Sequence, residues 1–173
     1  MSCGQTLVAN GVKKHCQIPT RCVAGCRNGR DPRRSALLAF LTRTRYHAAN
    51  PDLTFLSWAT LGSDRIRLIE GKDGRIVEIQ GTPDMVLEIV SKSSEYKDAV
   101  LLRKAYWEAG IREYWLVDAR RELRFDILRH SARRYVATRK QDGWLKSAVF
   151  GKGFRLKAAT IKQGQPDYTL HVR

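Results

Sequence analysis

Apolar and polar positions change rhythm several times along the chain, and each rhythm predicts an element. Ser35, a good helix-capping residue, precedes Ala36-Leu37-Leu38-Ala39-Phe40-Leu41, so a short helix to about Tyr46 is predicted, its apolar side packed on a sheet. After Pro51-Asp52, the run from Leu53 to Trp58 favours a strand, and Arg65-Ile66-Arg67-Leu68-Ile69 alternates with a period of two, as a half-exposed strand does. Lys72-Asp73-Gly74 reads as a hairpin turn that returns the chain through Arg75-Ile76-Val77-Glu78-Ile79. Gly81-Thr82-Pro83 then breaks that strand and opens the next. Residues 85 to 90 are apolar apart from Glu88, which predicts a central strand covered on both faces. Alternation puts Asp84, Val86, Glu88 and Val90 on one side of it, and Met85, Leu87 and Ile89 on the other.

The second half continues in the same language. Ser93 or Ser94 caps a helix with Glu95 and Asp98 near its positive end, and Leu102, Tyr106 and Ala109 form an apolar stripe that Gly110 terminates. Residues 111 to 118 form a strand, so strand, helix and strand have the length of a parallel crossover. Leu123 to Leu128, Tyr135 to Thr138 and Trp144 to Phe150 read as short antiparallel strands, with Gln141-Asp142-Gly143 a turn. The predicted fold is a mixed α/β sheet flanked by helices, with antiparallel C-terminal strands.

Length and charge narrow this further. At 173 residues the chain has the size of one domain able to bury its own core. Lys and Arg number 32 against 17 Asp and Glu, a formal charge of +15, which makes nucleic acid the first partner to consider; a basic surface kept for solubility is the plainer alternative. No apolar run approaches the length of a membrane span and no signal-peptide pattern opens the chain, so a cytoplasmic protein is expected. Cys3, Cys16, Cys22 and Cys26 all fall in a segment short of large apolar residues. Their spacing fits zinc poorly, and reduced cysteines in a loosely ordered leader are the simpler reading. Arg27 to Arg34 is basic and turn-rich, so we divide the chain into a leader, residues 1–34, and a folded domain, residues 35–173.

The chemistry is expected at two acidic motifs, Pro51-Asp52 and Pro83-Asp84-Met85-Val86-Leu87-Glu88-Ile89-Val90. A carboxylate in such apolar surroundings costs several kcal/mol unless it is paired. A divalent cation removes that cost, and hard oxygen donors suit Mg²⁺ or Mn²⁺. Asp52 and Asp84 each follow a proline, and such pairs also serve as turn residues at strand starts.

With Lys97-Asp98 and Tyr106-Trp107-Glu108-Ala109-Gly110-Ile111-Arg112-Glu113-Tyr114-Trp115-Leu116-Val117-Asp118 added, the second motif resembles the Uma-type restriction endonucleases of the PD-(D/E)xK nuclease superfamily. The resemblance runs from about Pro51 to about Leu156, and residues 1–34 do not share it. It implies a restriction-endonuclease-like fold and a metal-dependent DNA endonuclease that uses Mg²⁺ or Mn²⁺ to activate water. It further implies metal ligation by Asp52 and Glu88 with Asp84 beside them, completed by the backbone carbonyl of Ile89. Two lysine positions of the superfamily are changed, to Val90 and Leu102. Of the nearby Lys92, Lys97 and Lys104, Lys104 is assigned the catalytic role. The alternative is a nuclease-fold binder of nucleic acid whose activity has decayed. Trp107, Tyr114 and Trp115 are read as packing rather than base stacking. Arg120, Arg121, Arg124, Arg129, Arg133 and Arg134 either line a phosphate path or are exposed strand residues. A twofold homodimer is a further expectation, because enzymes of the superfamily that cut both strands often pair.

Overall fold

The computed structural model describes residues 36–38, 41–43, 48–91, 97–160 and 166–173. The cysteines, the leader, Lys92 and the proposed caps Ser93 and Ser94 lie outside them.

Strands come first. β1 (Ala36–Leu38), β2 (Leu41–Arg43) and β3 (Ala48–Ala49) precede β4 (Leu53–Leu56), where the helix to Tyr46 was expected. The reason is pairing: β1 lies antiparallel to β4, and β2 runs parallel to β6 (Ile76–Gly81), so sheet hydrogen bonding overrides the helix preference of Ala and Leu. Ser57 ends β4 sooner than expected by capping a one-turn helix, α1 (Trp58–Leu61), through a bond from Thr60 N–H to Ser57 Oγ.

The hairpin is as predicted, with β5 (Ile66–Glu70) antiparallel to β6 around Lys72-Asp73-Gly74. Gly81 closes it at φ +119°, and a Cβ there would lie 1.9 Å from the carbonyl oxygen of Arg65, so no other residue fits. β7 (Met85–Val90) is next, then a π-helical turn (Lys97–Leu102) that runs into α2 (Arg103–Glu108). Gly110, at φ +74°, turns the chain out of the helix and into β8 (Glu113–Asp118). β8 is parallel to β7, as the crossover reading requires. β9 (Arg124–His130) and β10 (Tyr135–Ala137) add antiparallel strands, giving the six-stranded order β1-β4-β7-β8-β9-β10.

Past Trp144 the expected long strand shrinks to β11 (Leu145–Lys146), because the backbone at residues 148 and 149 donates to a side chain of β8 instead of to a strand. A C-terminal hairpin that the hydrophobic pattern did not predict, β12 (Gly153–Thr160) with β13 (Pro166–Val172), completes a three-stranded sheet with β11.

Alternation along the central strands divides the core in two. Leu53, Phe55, Met85, Leu87, Trp115 and Phe125 face Leu145 and Phe154 of the C-terminal sheet. Val86, Tyr114 and Leu128 face Leu102 and Tyr106 on the helical side, with Ile111 and Tyr135. The predicted aromatics are packing residues: Trp115 and Tyr114 are buried, and Trp107 donates its indole N–H to Ser131 O at 2.8 Å. Among the described residues no helix is long and apolar enough to cross a membrane.

Candidate active site

Register decides which acids meet. Leu53 lies across from Leu87 and Thr54 from Val86, so one further step sets Asp52 across from Glu88. Opposed residues on antiparallel strands have Cα atoms about 4.5–5.5 Å apart. Leu87 enters the first core cluster, so Glu88 turns to the opposite, helical face. The contact is direct on one side: Ile89 N–H donates to Asp52 Oδ2 at 2.6 Å. Since the N–H and C=O of one strand residue point to the same neighbour, the carbonyl of Ile89 is also turned toward Asp52.

Glu88, only 5% exposed, accepts from the Tyr106 hydroxyl at 2.6 Å through Oε1. Tyr106 reaches it from α2 because the helical stripe packs over β7, with the ring edge-on to Tyr114 at 5.3 Å. Sequence reasoning placed Tyr106 in that apolar stripe, which is correct, and missed its hydroxyl. The signal was a phenol in a stripe facing a strand that carries a buried acid, since a buried Tyr O–H needs a polar partner.

Asp84 is not brought to this pair. Four residues along a strand separate its Cα from that of Glu88, about 13 Å at the usual rise. Its carboxylate is 1% exposed and already engaged: Oδ2 accepts from Ser57 N–H at 2.8 Å and Oδ1 faces the Arg112 guanidinium at 3.5 Å. Burial pushes the Asp84 carboxyl up, but the Ser57 N–H, the side chains of Thr60 and Ser57, and the charge of Arg112 together outweigh it and hold the group below its ordinary value. Asp84 thus ties β7 to the start of α1.

Lys104 is also elsewhere. It sits two residues from both Leu102 and Tyr106, on the opposite side of the helix; its side chain is 76% exposed and faces Glu108 at 3.7 Å. Leu102 and Val90, at the changed lysine positions, are buried. Lys97 falls in the π-helical turn. Among the described residues no group of three or more His, Cys, Asp or Glu side chains is close enough to hold a metal ion. The structure therefore pairs two of the three expected acids.

A third buried acid went unassigned in the sequence. Glu113, 1% exposed, accepts from Trp115 Nε1 (2.9 Å), Ser147 Oγ (2.6 Å), Ala148 N (2.5 Å) and Val149 N (3.2 Å). Four donors satisfy the carboxylate fully, which makes it a fastener between β8 and the segment leading to β12. Of the arginines proposed for a phosphate path, Arg120 is bound to Asp118 through two bonds, at 2.9 and 2.7 Å, and Arg124 faces Asp126 at 3.8 Å. Arg121, Arg129, Arg133 and Arg134 are exposed.

A model of the Uma2 family, described as "Putative restriction endonuclease", matches residues 5–159. The chain belongs to the Uma2 family. The match begins well before Pro51, so the family likeness reaches into residues 1–34, where the motifs had shown none; those motifs all lie from residue 51 onward. No curated protein matches. Among solved structures, one described as a "putative nuclease belonging to DUF820" from Anabaena variabilis ATCC 29413 aligns at 17% identity with a TM-score of 0.50, covering 69% of this chain and 63% of that one. This chain thus spans under two thirds of that protein's length, and the likeness concerns the fold. With the mixed sheet described above, the fold is restriction-endonuclease-like.

Proposed function

We propose that this Uma2-family chain is a metal-dependent DNA endonuclease whose active site is built on Asp52 and Glu88, with the carbonyl of Ile89 as third oxygen. The observation that supports the reading is the bond from Ile89 N–H to Asp52 Oδ2 at 2.6 Å, which holds one acid against the strand residue that follows the other, Glu88. Their chemistry fits Mg²⁺ or Mn²⁺: two carboxylates and a carbonyl are hard oxygen donors, and a set this small leaves coordination positions for water. When bound, the cation would supply the Lewis acid that lowers the pKa of a water and offsets charge on the phosphoryl oxygens. The chain's own groups fix the acids beforehand. Tyr106 holds Oε1 of Glu88 and the Ile89 N–H holds Oδ2 of Asp52. Lys104 and Asp84 are left out of the site on geometric grounds. The reading includes a cytoplasmic setting and, where both strands are cut, a twofold homodimer.

Nicking of supercoiled plasmid in Mg²⁺ tests it. The wild type is expected to nick, and Glu88→Gln and Asp52→Asn to lose at least about a hundredfold, since even outer partners of a metal site cost 10–100-fold. Equal nicking by wild type and Glu88→Gln would overturn the proposal.

The second reading, a decayed nuclease fold that only binds nucleic acid, is favoured by one observation: the lysine positions are filled by buried Val90 and Leu102 while Lys104 points outward. It predicts DNA binding with a steep salt dependence and no metal-dependent turnover.

A further inference from the structure

The segment from Arg139 to Arg155 interleaves cations with glycine and one tryptophan. A turn at Asp142 and Gly143 lets Gln141 and Trp144 bond to each other's backbone at 2.9 and 2.8 Å, which fixes the indole beside β11. Pairing of Leu145 with Phe154 then sends both into the core and turns Lys146 outward. At the far end of the hairpin, Arg173 and Gly153 exchange two backbone hydrogen bonds at 2.9 and 3.0 Å. Two guanidinium groups are thereby gathered on one ring: the central carbons of Arg155 and Arg173 lie 4.6 and 4.4 Å from the centroid of Trp144.

Beside this ring is an open cavity of about 270 Å³, lined by Arg139, Gln141, Trp144, Lys146 and Arg173, with the backbone of Gly151 and Gly153. No carboxylate side chain lines it. None of Arg139, Lys146, Arg155 and Arg173 makes an ion pair among the described residues, and the Nε of Arg155 is buried without a hydrogen-bond partner. Cations held this close repel one another. The indole face offsets part of that repulsion; an anion in the cavity would offset the rest. Arginine forks match the geometry of a phosphate group, and Gln141 adds a neutral donor. The cavity belongs to the C-terminal sheet, which covers the first core cluster, whereas Glu88 is bound by Tyr106 on the helical side.

We propose that the cleft around Trp144 binds a backbone phosphate of a nucleic-acid strand, as an anchoring site separate from the acid pair. The site stands whether or not that pair cleaves.

The test is fluorescence anisotropy of a short labelled DNA duplex in EDTA across a series of KCl concentrations. Arg139→Glu/Lys146→Glu changes two exposed side chains and is expected to keep the melting temperature. It should weaken binding by at least about tenfold at moderate salt and lower the slope of log K against log salt by about 0.9 for each phosphate no longer neutralised. Arg65→Glu/Arg67→Glu, the same charge change on the β5 hairpin, should weaken binding far less. Equal weakening by the two double variants would overturn the proposal, because net charge alone would then explain it. So would polyglutamate displacing the duplex as well as DNA does, charge for charge, since the cleft would then not be reading phosphate. Cleavage plays no part in this assay, so a failed nuclease reading would leave its result unchanged.

Discussion

Glu113 collects four hydrogen bonds and Glu88 is held by Tyr106, though both are buried acids on neighbouring parallel strands. The difference lies in what surrounds each. Glu113 faces the loop that ends at β12, whose backbone N–H groups need an acceptor; Glu88 faces the helical side, where the Tyr106 hydroxyl donates to it. Glu113→Ala should therefore cost more than about 3 kcal/mol in urea unfolding, since it leaves several buried donors unpaired at about 1–3 kcal/mol each. Tyr106→Phe should cost about 1.5–3 kcal/mol, the usual worth of one hydrogen bond to a charged group. Asp84 gives a pH signature. Its folded pKa is depressed below the ordinary value near 3.9, so the stability it contributes is present above that pH and is lost as pH falls through the folded pKa. Asp118 acts in the same direction: bonds from the Arg120 side chain, opposed by some burial, bring it down to about 2. The melting temperature should thus fall between pH 4.5 and pH 2, and fall less in Asp84→Asn than in the wild type. Parallel curves for the two would contradict the assignment.

At the level of elements, the chain announces itself wherever a single rhythm governs a segment. The β5–β6 hairpin needs only Asp-Gly between alternating runs. The β7–α2–β8 crossover needs an apolar strand, a stripe and a terminating glycine. The elements that stayed hidden are set by distant partners. Ala36 to Leu41 is helix-forming in isolation, yet Ala36–Leu38 and Leu41–Arg43 become strands because β4 and β6 offer them edges. Trp144 to Phe150 has the composition of a strand but is cut short because Glu113, 34 residues before Ser147, claims the backbone that a strand would use. The site obeys the same rule. Asp52 and Glu88 were legible as acids in apolar strands; that Asp84 stands apart, and that Tyr106 joins, comes only from register and helix packing. The tightest element-level constraint is Gly81: Gly81→Ala should destabilise by more than about 2 kcal/mol in thermal unfolding, since the strained φ alone costs about 1–3 kcal/mol and the new Cβ meets the Arg65 carbonyl.

Across the whole molecule, the central sheet separates two kinds of chemistry. Its helical face carries Glu88 with its Tyr106 partner, and the sheet stacked on its other face carries the tryptophan with its cluster of cations. The formal charge of +15 thus has one local focus that the spacing of arginines in β9 and β10 did not predict. On the acidic side the account depends on two carboxylates rather than three serving one cation. Calorimetric titration with Mn²⁺ tests this most directly, on the wild type, Asp52→Asn, Glu88→Gln and Asp84→Asn. The account predicts saturable binding by the wild type and by Asp84→Asn, and a drop of at least about tenfold in affinity in each of the other two. Binding of Mn²⁺ by Glu88→Gln as tight as by the wild type, or its disappearance in Asp84→Asn with the fold intact, would contradict it.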